Sequence, residues 1–517
     1  MKIVEFNEDI YEKIKKKKFC LVEKSILYLD ELCDRFDILS NITAVVDENN
    51  RKRGVFLYKG VQITVYSLDY LKKLDSDEII LITSDYYREY VSKIEKLFSG
   101  QLKEIYVFYN YETKIELCYR NHYCNKMLEN LIVFRSGPHH MEYVKGMDFA
   151  DNARALFEYM ISIKLNHQYE LVWYVNDPKE YERYALYENV SFLAYSDAVS
   201  EEKAVRDEYY RTLCLAKYIF FTDAYGFARN CREDQIRVQL WHGCGFKMRL
   251  NGMACEKRYE YMTVTSHLYA KLHGDIFGLR KEQMLVTGCA KEDWLFQKDK
   301  LNILNNLEIP AAQIYIFWLP TYRFSGKDIE KPRDGELSEE TGLPLISSRE
   351  DLDLLNEILI LHHIILVIKL HPFQDAHVIQ CRDLSNIILI HNDLLAEKDI
   401  QVNELLCMAD ALISDYSSAA VDFLLLDRPM GFIVDDIEEY SSKRGFIFNN
   451  ILEWLPGKCI FEKEDFIAFI EEIALGQDSH RQKRRQLRSR LHQYSDRNNC
   501  KRIVEALGIC ETIKTVD

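Results

Sequence analysis

The chain has 517 residues, 48% hydrophobic and 29% charged, with a net charge of −15. That length exceeds what one core supports and predicts two to four domains, and the acidity excludes a general nucleic-acid binder, which carries a basic face. Its fourteen cysteines are scattered without C-x-x-C or zinc-finger spacing, which excludes a metal cage or disulfide scaffold and predicts reduced thiols in a cytoplasmic setting.

The amino terminus reaches Glu5 and Glu8 without the apolar run of a secretory signal. Residues 1–125 then read as a small α/β unit: strands at Lys18–Val22, Ile42–Asp47 and Ile79–Thr83, with a helix over Ser25–Phe36. Strands alternating with helices predict a parallel sheet. The first strand runs into Glu23-Lys24-Ser25 with no glycine for a dinucleotide turn, and Asp47 stands alone as a ribose-binding acid. A degenerate, scaffolding Rossmann-like domain is the expectation.

A second block, 130–300, opens with a strand and turn over Leu131–Gly137. Asp151-Asn152 then caps a helix whose apolar residues recur at three and four. Strands follow at Glu170–Val175, Tyr218–Thr222 and Arg237–Trp241. The last delivers Trp241-His242-Gly243 to a strand end, with Gly245 and Lys247 close behind. Glycines let backbone approach closely, and a histidine near neutrality is the usual base for a hydroxyl nucleophile; a hydrogen-bonded structural histidine is the alternative. Cys244 reads as a small loop residue. The pattern loosens into a linker near 298–307.

The third block, 305–478, repeats the alternation, with strands at Ile314–Leu319, Ile364–Leu370, Ile387–Ile390, Ala411–Ser414 and Met430–Val434. Helices are expected over Ser348–Leu361 and Val402–Met408. The most apolar segment, Ile358–Leu370, is broken by His362 and His363 and is too short to span a bilayer. Ligands bind outside the carboxyl ends of strands in open α/β sheets. There the chain offers Thr321 and Arg323 after Pro320, and Lys369 and His371 on one side of their strand. It also offers Ser414-Asp415-Tyr416-Ser417-Ser418 before an apolar helix over Ala419–Leu426. Arg forks onto phosphate oxygens, and a helix start capped by Ser417 or Ser418 exposes free N–H groups to an anion. Asp422 either joins this set or complements the helix dipole. Residues 479–517 form a basic helical tail, with Arg481, Lys483, Arg484, Arg485, Arg488 and Arg490. It either docks an anionic acceptor or membrane headgroups, or is a helix face paired with the chain's surplus acids.

Together these motifs resemble the CDP-glycerol glycerophosphotransferase family of teichoic-acid primases and polymerases, over about residues 130–505. The resemblance rests on Asp151-Asn152, Gln239–Gly243 with Lys247, Pro320–Arg323, His371-Pro372 and Ser414–Ser418 with Asp422. It continues through Asp436–Tyr440 and Arg444-Gly445-Phe446. The chain departs from the family at Gly288-Cys289-Ala290-Lys291-Glu292-Asp293, where a G-x-P-R-x-D segment is usual, and at Cys244-Gly245-Phe246, where Thr-Pro-Leu is usual.

The resemblance implies a GT-B-type pair of Rossmann-like domains facing a cleft, and a transferase moving glycerol phosphate from CDP-glycerol, or ribitol phosphate from CDP-ribitol, with release of CMP. His242 and His371 are the expected catalytic residues, His242 as the base and His371 in stabilising the leaving CMP, with Gly243, Lys247 and Asn152 on the acceptor side. His371, Lys369, Arg323, Thr321, Ser414, Ser417 and Ser418 are expected at the donor, with Asp415 orienting a cation or the polyol and Asp422 beside them. No cofactor is implied; Asp435-Asp436 is the one alternative Mg²⁺ position. The implied acceptor is a polyol phosphate or glycan, lipid-linked in some settings, met in the cytoplasm at the inner membrane face with at most peripheral contact. A nucleotide-sugar glycosyltransferase on the same scaffold, and a non-catalytic partner protein, are the competing readings.

Overall fold

Strand after strand in this chain is apolar on both faces, as in β16 (Ile364–Lys369), where all six residues are buried. Such runs belong to parallel sheets covered by helices on each side. The computed structural model describes residues 2–509 except 24, 49–53, 76, 85–86, 100, 138–143, 223–231, 249–258, 297–299, 321–340, 371–382 and 444. It resolves into two units, one of residues 1–129, 194–216 and 225–235, the other of 130–193, 217–224 and 236–517.

The first unit is built on β1 (Lys2–Glu5), β2 (Lys18–Val22), β3 (Ile42–Val46), β4 (Gly54–Tyr58), β5 (Val61–Tyr66), β6 (Glu78–Ile82) and β7 (Glu104–Val107), in the order β1-β7-β6-β2-β3-β5-β4. The three expected strands and the helix, Ile26–Arg35, are present. Beyond expectation, β4 folds back antiparallel on β5 at one edge. Separate apolar clusters cover the two faces, one around Phe19, Leu21 and Phe108, the other around Cys20, Val22 and Ile94.

The second unit holds two sheets. One comprises β8 (Glu129–Arg135), β9 (Glu170–Val175), β10 (Val190–Ala194), β11 (Ala216–Phe221), β12 (Ile236–Gln239), β13 (Tyr261–Val264) and β14 (Met284–Val286). The other comprises β15 (Ile314–Trp318), β16, β17 (Ile387–Ile390), β18 (Ala411–Ser414), β19 (Met430–Ile433) and β20 (Lys458–Ile460). Their orders, β10-β9-β8-β11-β12-β13-β14 and β17-β16-β15-β18-β19-β20, both contain the doubly wound 3-2-1-4-5-6 sequence of a Rossmann sheet. Two such sheets in one unit are the GT-B pair. The chain closes the pair: helix Asn499–Ala506 returns to the first sheet, where Cys500, Ile503 and Val504 join the core of Ile132, Trp173 and Val238.

Three expectations are corrected. The strand expected to reach Trp241 stops at Gln239, because Trp241 takes a left-handed φ of 54° that no strand accommodates. The expected linker near 298–307 carries a short helix, Lys300–Asn306. Helix Asp151–Ser162 has Ala150 at its N-cap position, while Asp151, at φ 61°, accepts from Asn152 N at 2.8 Å, so the Asn152 side chain takes no part in capping.

Candidate active site

Trp241 and His242 sit on a backbone that the sequence alone leaves strained, since a bulky residue at positive φ needs its surroundings to hold it there. Gln239 Oε1 accepts from Trp241 N at 2.9 Å, and Asn152 Nδ2 donates to Trp241 O at 2.7 Å. One residue on, Lys291 Nζ donates to His242 O at 2.7 Å, while Lys291 N donates to Asn152 Oδ1 at 3.0 Å. Asn152 and Lys291 thus clasp each other and the loop between them. His242 is half-buried, with its ring tilted 34° on the Trp241 ring at 4.1 Å.

Lys291 also reaches two carboxylates, Asp151 Oδ1 at 3.2 Å and Asp422 Oδ2 at 3.5 Å. Burial opposes its charge, but Asp151 and Asp422 outweigh burial and raise its pKa. Asp422, fully buried on helix Ser418–Phe423, accepts from Asn403 Nδ2 at 3.2 Å as well. Asp422 is therefore spent on an ion pair between the two sheets rather than on the helix dipole, and Asn152 is spent on the loop backbone rather than presented to a ligand.

The two strand-end loops meet directly. A Cβ added to Gly243, at φ 131°, would lie 3.3 Å from Ser418 Cβ and Oγ; one added to Gly245 would lie 3.2 Å from Ser418 Cβ. Ser417 caps the helix, its Oγ accepting from Ala419 N at 3.3 Å. The loop then pairs with the Arg444–Phe446 motif: Lys247 forms an antiparallel bridge to Phe446, and Ile447 N donates to Phe246 O at 2.9 Å. Cys244 is 1% exposed beneath this loop, which removes it as a nucleophile.

On the donor side, the register aligns Trp318 with both Ile368 and Ile413. Lys369 and Ser414 therefore stand one residue further, at the same level and on the same sheet face, two strands and roughly 10 Å apart. Both are buried, and among the described residues neither Lys369 Nζ nor Ser414 Oγ has a hydrogen-bond or ion-pair partner. Burial alone pushes Lys369 down to about 8. Asp415, the next residue after Ser414, is buried. His391, at the end of β17, feels Lys369: burial lowers its pKa, with Asp393 and Lys369 pulling in opposite directions. An uncompensated cation with an unspent hydroxyl at the carboxyl ends of parallel strands is suited to an anion. The expected site residues Thr321, Arg323 and His371 lie outside the described residues.

Beneath the clasp, Glu292 Oε2 accepts from Cys289 N and Asn499 Nδ2, and Glu292 Oε1 lies 3.7 Å from His492 Nδ1. Burial raises the Glu292 pKa well above its ordinary value and pushes His492 down to about 4. Asp436 accepts from the Tyr416 hydroxyl at 3.3 Å. Among the described residues no group of three His, Cys, Asp or Glu could hold a metal ion.

Sequence reasoning passed over Lys291 and His391. Lys291 was signalled by a cation at the arginine position of the departing Gly288–Asp293 segment, and His391 by its place one residue past an apolar run.

Comparison with known proteins identifies the family and the fold. The family profile of CDP-glycerol:poly(glycerophosphate) glycerophosphotransferase matches residues 117–508. The teichoic acid glycerol-phosphate primase of Bacillus subtilis is 27% identical over 47% of this chain and 61% of its own length. The teichoic acid poly(ribitol-phosphate) polymerase of Bacillus spizizenii is 27% identical over 50% of this chain and 41% of its own. The wall teichoic acid polymerase TagF superposes with a TM-score of 0.57 at 18% identity, covering 82% of this chain and 97% of that one, a likeness of fold. The chain spans between 41% and 61% of the length of the curated relatives it matches first.

Proposed function

The chain belongs to the CDP-glycerol:poly(glycerophosphate) glycerophosphotransferase family, and from that premise we propose that it transfers glycerol phosphate from CDP-glycerol to an acceptor hydroxyl in teichoic-acid or related polymer synthesis. The acceptor oxygen attacks the phosphorus that bears the glycerol, a new phosphodiester forms, and the bond to CMP breaks with its electrons leaving on CMP. His242 takes the acceptor proton. Phosphoryl transfer is mostly positioning and charge neutralisation, and the protein's own groups supply both: Lys369 and Ser414 face the diphosphate, Arg323, Thr321 and His371 are assigned to it from the sequence alone, and Asp415 serves the polyol or a cation.

The observation that carries this reading is the buried Lys369, uncompensated among the described residues, level with Ser414 at the strand ends. A bound diphosphate would supply the counter-charge that no described residue gives this lysine. The charge needed is protein-borne, so the reaction requires no metal ion in this reading. The acceptor side is the loop from Gly243 to Lys247, beside the segment where the chain leaves the family pattern; an acceptor ending in a polyol phosphate suits the reading. No described helix is long and apolar enough to cross a membrane, so an acceptor carried by lipid would be met from the membrane surface.

Incubation with CDP-glycerol, CDP-ribitol and nucleotide sugars tests the proposal. CMP release from CDP-glycerol, dependent on an added polyol-phosphate acceptor, is expected. Release of a nucleoside diphosphate from a nucleotide sugar instead would replace it with glycosyl transfer.

A further inference from the structure

The basic helix Arg481–Leu491 divides its charge between two jobs. Arg484 is fully buried, forked onto Asp478 and bonded to Asp427, and Arg485 and Arg481 also turn to Asp427. Those cations are structural. Lys483 and Arg490 belong to another face, where with Glu453, Trp454, Gln486 and Ser489 they line a cavity of about 550 Å³. Lys483 Nζ donates one bond, 2.8 Å to Leu452 O, and keeps its other protons. The Arg490 guanidinium lies 4.1 Å over the Trp454 ring; among the described residues no carboxylate pairs with it, and Glu453 of the same cavity accepts from Asn450 Nδ2.

We propose that this cavity binds the polyol-phosphate chain itself, as a subsite for the growing or accepting polymer away from the transfer centre; the identity of the polymer rests on the function proposed above. Seven residues of helix separate Lys483 from Arg490 by roughly 10 Å, a spacing that engages separate phosphates of one chain rather than one phosphate twice. Gln486 and Ser489 supply neutral donors between them for hydroxyls. An aromatic ladder ties the cavity to the candidate acceptor loop: Trp454 stacks on Phe448 at 4.0 Å, and Phe448 lies 6.3 Å from Phe246, three residues after Gly243. Two linked contacts raise affinity for a chain over its single units.

Trp454 is itself the reporter. The other four tryptophans, Trp173, Trp241, Trp294 and Trp318, are buried, and drawing Arg490 from the Trp454 ring to a phosphate alters its emission. Titration of the full chain with a soluble glycerol phosphate oligomer should shift that emission, saturating at concentrations at least about tenfold below those inorganic phosphate requires. Trp454→Phe should lose the signal. Lys483→Gln with Arg490→Gln should weaken oligomer binding about tenfold or more, leaving CDP-glycerol binding unchanged. No emission change with the oligomer, equal response to inorganic phosphate, or response to anionic vesicles alone would each overturn the proposal, whether or not the double variant folds. Loss of CDP-glycerol turnover with an intact Trp454 response strikes the proposed reaction and leaves the cavity standing.

Discussion

Lys291 answers to three oxygens at once, a carbonyl and two carboxylates, and that is why its removal should be costly. Lys291→Met leaves the buried Asp422 and the half-buried Asp151 without their cation, and breaking a buried pair from one side costs about 3–5 kcal/mol. Thermal or denaturant unfolding should show that loss, and Lys291→Arg should recover most of it. Lys369 is the reverse case. It sits at about 8 in the fold against 10.5 in the free side chain. Between those values the unfolded chain holds the extra proton, so stability rises with pH across that window, and below about 8 the full penalty is present. Lys369→Met should therefore stabilise the protein at neutral pH, by about 1–3 kcal/mol, while weakening CDP-glycerol binding. In the unaltered protein, calorimetry should find donor affinity falling as pH climbs past about 8, opposite to stability. His242→Ala should lower turnover by about 10²–10⁴-fold with donor affinity little changed; near-normal turnover would remove His242 from the role of base.

Elements differ in how openly the sequence declares them. Strands β2 and β17 match their expected bounds, because an unbroken run of Val, Ile, Leu and Phe between polar punctuation admits little else. The hairpin β4–β5 was not legible: its turn, Lys59-Gly60, has both residues at positive φ, but Lys replaces the Asn or Asp that usually flags such a turn. At the site, the strand-end positions of Ser414 and Lys369 could be read from the sequence, whereas the strand before His242 stops early, at Gln239. The clasp could not, since it depends on Asn152, Lys291 and Asp422 meeting across 270 residues of sequence, which no local pattern records. Residues 479–517 read as helical, but the return of helix Asn499–Ala506 to the first sheet was invisible for the same reason. Asp293 accepts from Asn499 N and Cys500 N, both at 2.9 Å, and so caps it. Asp293→Ala should cost about 1–2 kcal/mol, read as a lower denaturant midpoint with an unchanged slope.

At the scale of the whole molecule, two sheets of the same strand order lend one loop each to the site, and acidic bulk surrounds a few deliberately placed cations. Since those cations are the protein's own, transfer from CDP-glycerol should persist after exhaustive chelation of divalent ions; abolition by chelator, restored by Mg²⁺, would assign the diphosphate to a metal instead. The loops touch where Gly243 and Gly245 lie against Ser418, a few tenths of an ångström short of the room a methyl group takes. That contact is a tolerance in the engineer's sense. Gly245→Ala, free of backbone penalty, would act as a shim, prying the two loops apart by a few tenths of an ångström, whereas Gly243→Ala would add the strain of a φ near 131°. The pair of variants offers a ruler for how finely the reaction is gauged by the gap between the sheets.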